Sequence, residues 1–482
     1  MIFCMDLQQQ NKLLYSRAGF GISLEDYKHP QPINKAVDNL FPKATPGALE
    51  MITAEEWAQN SPNALKAMDD DAGRKEMKKA FNARSKDMNL LWVQAMVDTS
   101  FPLLEKTALF WHGHFATHIN NPYYDQVLLD VIRKNALGNF GDMLRGVSKS
   151  SAMLQFLNNR QNKKQHPNEN FAREVMELFT MGRGNYSEDD VKEAARSFTG
   201  WGADLQGEFV FRQKQHDNGD KTLLGKTGNF DGDDVLNILL QQKETAHFIS
   251  KKIYRFLVND DVDEQKAAWL GNRFYQSNYD IKSLLEDIFS SEWFYAEKNV
   301  GARIKSPVEL IVGIRRMLPM KIDNEESQLT VQAVLGQLLF YPPNVAGWPG
   351  GTNWIDSSSL MFRLRIPQII YAADEFEMKP KDDDDVMMGR KEINENAFKI
   401  KGLGKVKGGQ MIRAEIFWND YLKEFESVPK ENLITELGKT ILQTPSGISD
   451  ETLKKYIDAS GREYFIKTAT IQLMSTPEYQ LC

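Results

Sequence analysis

Cysteine is almost absent from the 482-residue chain, with only Cys4 and Cys482 at its opposite ends. Two thiols close at most one bridge, and free terminal thiols are the simpler expectation; a cysteine-rich zinc cage is excluded. No stretch approaches the ~18 apolar residues of a membrane span. Positive charge is in deficit, 59 Lys and Arg against 66 Asp and Glu for a net −7, which argues against a general nucleic-acid grip. Met1 to Asn11 shows no basic stretch followed by an apolar one, so no secretory signal is visible. A cytoplasmic protein is expected, or a periplasmic one if an export signal has been lost.

Familiar catalytic signatures are missing too. There is no G-x-S-x-G elbow and no H-E-x-x-H pair. Gly225-Lys226-Thr227 lacks the leading glycine of a phosphate loop, because position 220 is Asp220. Gly402, Gly404 and Gly408 miss the dinucleotide spacing.

What is present is a mainly α pattern. Apolar residues recur at helical spacing in Leu90 to Val97, Leu103 to Phe115, Val127 to Leu137 and Met143 to Leu157, with a break near Pro102. Ser187 before Glu188, Asp189 and Asp190 reads as an N-cap with an acidic first turn, and Asp231 to Asp234 opens another helix. A small inserted β-hairpin is expected near 208–225, pairing Glu208 to Arg212 with Thr222 to Leu224 across the Asp217-Asn218-Gly219-Asp220 turn. The expected organisation is a multi-helix domain over 1–377, a charged, Gly-containing loop or linker over 378–410, and a smaller C-terminal helical subdomain over 411–482. Leu284 to Tyr295 and Ile471 to Tyr479 are faintly alike, each an apolar helix ending in serine and an aromatic.

Several clusters carry chemically capable groups. Three of seven histidines fall in Trp111 to His118. On a helix His112 and His114 point about 200° apart, whereas in an extended segment they share a side as ligands for a divalent transition metal would. Helix-end histidines with satisfied hydrogen bonds are the plainer alternative. Glu174 and Glu177 share a helical face beside large apolar residues, which suits an acid/base group; an Arg173–Glu177 surface pair is the alternative. Glu244 and His247 have the E-x-x-H spacing of di-iron bundles, but only one such motif exists. His216, Asp217 and Lys221 gather at the hairpin. The Tyr341 to Trp354 loop offers Trp348 and Trp354 for stacking, with Arg363 nearby for an anion; a loop tucked on the core by its tryptophans is the alternative.

Leu14 to Gly21, Trp111 to Phe115, Asn168 to Gly182, Phe198 to Trp201, His216-Asp217 with Lys221 to Gly225, Gly336-Gln337, Pro342 to Trp354 and Ser475 to Gln480 appear in the order of one family. In these segments the chain resembles the bacterial domain-of-unknown-function 1800 family. The resemblance covers His112, His114, Glu174, Glu177, His216, Asp217, Lys221, Trp348, Trp354 and Arg363, and gives His118 and His247 little support. It implies a protein often exported and often encoded beside a sulfatase-like protein of the domain-of-unknown-function 1501 family. Two functions are then expected. One is a metal-assisted hydrolase or oxidase with His112 and His114 on the metal, Glu174, Glu177, His216 and Asp217 in catalysis, and Lys221, Trp348, Trp354 and Arg363 on substrate. The other is a non-catalytic binding or scaffold protein for the sulfatase-like partner.

Overall fold

The computed structural model describes residues 5–43, 47–53, 55–57, 71–119, 121–204, 206–372, 397–400, 404–407 and 412–482. Helices dominate, and the strands form only short two-stranded pairs. Local chemistry sets the helix ends. The Leu7–Ala18 helix starts at a capping box between Asp6 and Gln9, and the Glu188–Ser197 helix at one between Ser187 and Asp190. The Asp71–Asp98 helix ends before Pro102, which opens the Pro102–His114 helix at its first turn. Among the described residues no helix is long and apolar enough to cross a membrane.

Two large apolar cores form. The first runs from Leu13 to Phe340; the second joins Leu310 to Ile370 with Ile412 to Tyr479. The C-terminal helices therefore share a core with residues from 310 onward, and the strand Met320–Ile322 pairs antiparallel with Ala414–Ile416. The Pro307–Met317 helix belongs to both cores, giving Val308 and Val312 to the first and Leu310, Ile311 and Ile314 to the second. Each such side chain contributes about 1.5–3 kcal/mol by burial. A helix buried along both faces suits this seam, its Glu309 and Arg315 buried with partners.

The hairpin region differs from the expected pairing. Phe209–Phe211 pairs back onto Trp201–Ala203, and Lys221–Leu223 pairs forward onto Lys226–Gly228, so two hairpins replace one. Tight turns decide this. Asp204 Oδ1 accepts from the Gln206 and Glu208 amides at 2.9 Å each and folds the first turn. Leu224 and Gly225 both have positive φ, +49° and +77°, as a two-residue hairpin turn requires.

Of the segment Met378 to Gln410, residues 397–400 and 404–407 pair as a hairpin; the rest, including Asp382 to Asp385, lies outside the described residues. Cys4 is likewise outside them, while Cys482 is free and buried. The two similar segments share one form. The Ile281–Phe289 helix is followed by the 3₁₀ turn Glu292–Tyr295, and the Arg462–Met474 helix by Pro477–Gln480.

Candidate functional site

His112 and His114 lie in the last turn of the Pro102–His114 helix and are both buried, so they face different neighbours as helical geometry requires. His112 Nε2 accepts from the Phe340 amide at 3.1 Å, and its ring packs 5.6 Å from that of Trp348. Burial pushes its pKa down to about 3, keeping it neutral. His114 Nε2 lies 3.2 Å from the Phe179 carbonyl, a pure acceptor, so that nitrogen carries the proton. Its Nδ1 then accepts from Lys252 Nζ at 2.8 Å. Among the described residues no group of three His, Cys, Asp or Glu side chains converges as a metal cage.

Glu174 ends the Glu169–Glu174 helix, and Glu177 lies in the π-helical turn Val175–Thr180 that continues it. Glu177 is paired with Arg183 and accepts from the Tyr186 hydroxyl at 2.8 Å, which holds its carboxyl below the usual range. Glu174 is half-buried and burial, with Glu177 beside it, pushes its pKa up. Arg173 pairs with Glu169 and Glu188 instead of Glu177.

The hairpin groups are spent on each other. His216 is buried, its Nδ1 donating to the Thr199 carbonyl at 2.9 Å. Asp217 takes two hydrogen bonds from Arg196, which lower its pKa. Lys221 Nζ donates to the Asp217 and Phe230 carbonyls and to Asn229, bracing the turn from inside.

Trp354 is buried, and Trp348 is half-exposed against His112. The loop docks so closely that a Cβ on Gly347 would stand 2.2 Å from the Gly113 carbonyl, at φ +81°. Gly347→Ala is expected to cost about 2–4 kcal/mol through the clash and the left-handed backbone. Calorimetry, with a shift in tryptophan emission as Trp348 undocks, checks this.

The structure thus sets His112 beside Trp348, turns His114 toward Phe179 and Lys252, keeps His216, Asp217 and Lys221 together elsewhere, and places Arg363 in a further setting. That setting is a cluster of cations. Arg17, Lys106, Arg303 and Arg363 are buried, Lys305 is half-buried, and the buried carboxylate among them is Glu309. Lys106 pairs with Glu309, and Arg303 Nη1 stands 3.8 Å from the same carboxylate. Arg17 donates to the Leu257, Val258 and Asn299 carbonyls, capping the end of the Lys243–Leu257 helix. Arg363 donates to Gln480 Oε1 at 3.0 Å and to the Lys305 carbonyl. Among the described residues, four guanidinium nitrogens of this cluster have no acceptor: Arg17 Nε, Arg303 Nε and Nη1, and Arg363 Nη1. All five cations act on the Glu309 carboxylate, and Arg17 on Asp260 as well.

The electrostatics follow from burial. Burial opposes ionisation of Glu309, but Lys106 and Arg303 overcome it and hold the carboxyl down at about 2. Burial brings Lys305 down to about 8 and Arg17 and Arg363 to about 10. A chamber of about 30 Å³ opens against this cluster, lined by Ser16, Lys106, Lys305, Glu309, Gln443 and Tyr479 among others. A second chamber, about 300 Å³, shares the Phe20, Gly21, Ile22, Gly313 and Met317 wall with the first.

The family described as "Protein of unknown function (DUF1800)" matches residues 13–481. The chain belongs to the DUF1800 family. No curated protein and no solved structure matches it. Two of the segments that carry the family likeness, Leu14 to Gly21 and Ser475 to Gln480, meet at this cluster. Ser16, Phe20, Gly21 and Tyr479 line the chamber, with Arg17 behind it. Of this cluster in the DUF1800 chain, Arg363 alone stands out in the sequence as a candidate; Arg17, Lys106, Arg303, Lys305 and Glu309 do not. A usable signal existed: charges inside otherwise apolar runs, the pair Glu105-Lys106 after Leu103-Leu104 and the single Glu309 in Val308-Glu309-Leu310-Ile311.

Proposed function

We propose that the protein binds a ligand through an oxyanion, a phosphate or sulfate group, held in the small chamber lined by Lys106 and Lys305. The excess of buried cations carries this reading. Buried cations that outnumber their carboxylates repel one another, and an anion in the chamber lowers that cost through its field on the whole cluster. Lys305 and Lys106 are the direct donors; the three arginines act from behind them.

This is a binding function, the second of the two classes expected from the sequence. A sulfatase-like partner rests on the family likeness. The metal-assisted hydrolase or oxidase reading rests on the choice and spacing of His112, His114, Glu174, Glu177, His216 and Asp217, whose partners are Phe340 for His112, Phe179 and Lys252 for His114, Arg183 and Tyr186 for Glu177, Thr199 for His216 and Arg196 for Asp217.

Inorganic sulfate at a hundredfold over its dissociation constant is expected to stabilise the protein by about 2.7 kcal/mol. Calorimetry against chloride at matched ionic strength reads this. An equal melting temperature in both salts would overturn the reading.

A further inference from the structure

We infer that the small chamber favours a protonated oxyanion, hydrogenphosphate over sulfate, with Glu309 as the acceptor that tells them apart. This rests on the reading of the chamber as an oxyanion site. Both ions are tetrahedral dianions, and they differ by a proton. Hydrogenphosphate carries a hydroxyl, whereas sulfate and the dianion of a phosphate monoester carry none. Donors alone treat these ions alike. A lining that also accepts separates them, because a fixed acceptor repels a ligand that brings it no hydrogen.

The chamber offers both kinds of group. Lys305 Nζ gives one of its three protons to the Tyr479 carbonyl, and Lys106 Nζ gives one to the Gly19 carbonyl and turns another to Glu309. Both ammonium groups therefore keep protons for a ligand's oxygens. Ser16 Oγ accepts from Gln443, which leaves the serine its own proton to donate. Glu309 lines the same chamber as an acceptor. Its Oε2 takes the Ser306 amide at 2.6 Å and its Oε1 pairs with Lys106, while Arg303 Nη1 at 3.8 Å is too far to donate. A carboxylate has about four lone-pair sites, so among the described residues Glu309 is not saturated. It has no proton of its own to give, because Lys106 and Arg303 hold its pKa down at about 2. A bare sulfate oxygen beside it meets a like charge. The hydroxyl of hydrogenphosphate makes a charge-assisted hydrogen bond there instead.

The test is isothermal titration of the full chain with phosphate, sulfate and monofluorophosphate at about pH 7.5, below the value of about 8 to which burial brings Lys305. Monofluorophosphate is a dianion of the same shape as hydrogenphosphate, with fluorine in place of the hydroxyl. The wild type is expected to bind phosphate about tenfold or more tighter than either of the others, the worth of one charge-assisted hydrogen bond. Affinity for either of them equal to that for phosphate would overturn this inference and leave the oxyanion site standing. Binding of no ion in the series would overturn both. The wild-type series decides the question by itself, and Glu309→Gln assigns the group. Glutamine donates as well as accepts, so the variant is expected to bring sulfate and monofluorophosphate to within about threefold of phosphate. A gap of about tenfold retained in the variant would put the discrimination on another group and overturn the inference as well.

Discussion

Glu309→Gln is expected to destabilise the protein by about 3–5 kcal/mol, the cost of leaving buried cations without their carboxylate. The substitution isolates charge. Glu309 accepts from the Ser306 amide at 2.6 Å as half of the capping box that starts the Pro307–Met317 helix, and glutamine can fill that position. What glutamine cannot do is neutralise Lys106, in contact with the carboxylate, or Arg303 at 3.8 Å. The same variant is expected to bind sulfate about tenfold more tightly, because the chamber has lost its nearest negative charge. Destabilisation in chloride together with a larger gain from sulfate is a paired outcome that a purely structural ion pair would not give. The acid side follows from the depressed pKa. The stabilisation by Glu309 is complete above the ordinary carboxyl value of 4.5 and falls away as pH drops toward about 2. Wild type and variant are therefore expected to converge in stability across that window, measured by denaturant titration at stepped pH.

Lys305→Met is expected to weaken sulfate binding about ten- to a hundredfold, the worth of one charge-assisted hydrogen bond, without lowering the stability of the ligand-free protein. Lys305 donates to the Tyr479 carbonyl at 2.7 Å and lies 3.8 Å over the Tyr479 ring. Methionine keeps the apolar stem over that ring. The cation itself is costly where it stands. Burial lowers Lys305 from 10.5 to about 8, with Arg363 and Lys106 adding to that and Glu309 and Cys482 opposing it. A folded pKa below the unfolded one means that the fold disfavours the charged form below about pH 8. That penalty is relieved as pH rises from 8 to 10.5, so this lysine's contribution raises ligand-free stability there. Sulfate affinity moves the other way and is expected to fall as pH passes 8. The variant should show a flatter profile in both measurements.

How much of this was legible in the sequence depends on the range of the interaction. Ser187 with its acidic first turn, Asp231 before the Gly232–Leu240 helix, and Pro102 at a helix start are local signals, and the structure places helix ends at each. The hairpins were legible as β but not in their pairing, because the choice between partners was made by the Asp204 turn and the Leu224-Gly225 turn. The histidines illustrate a different limit. Spacing gave their 200° divergence on a helix, but not that Phe340, Phe179 and Lys252 would take up their ring nitrogens from over 60 residues away. The cation cluster is harder still, since Arg17, Lys106, Arg303, Lys305, Glu309 and Arg363 come from separate parts of the chain and meet only at the seam of two cores. Their mark in the sequence was a charge where the helical pattern calls for an apolar residue, which signals burial with a partner before it signals a ligand.

The most direct measurement of the central claim is a crystal structure of the protein grown in selenate, read by anomalous scattering. A peak is expected in the small chamber within about 3.2 Å of Lys305 Nζ, weakened or lost in Lys305→Met. A chamber without a peak at saturating selenate, with Lys305 still on the Tyr479 carbonyl, would contradict it.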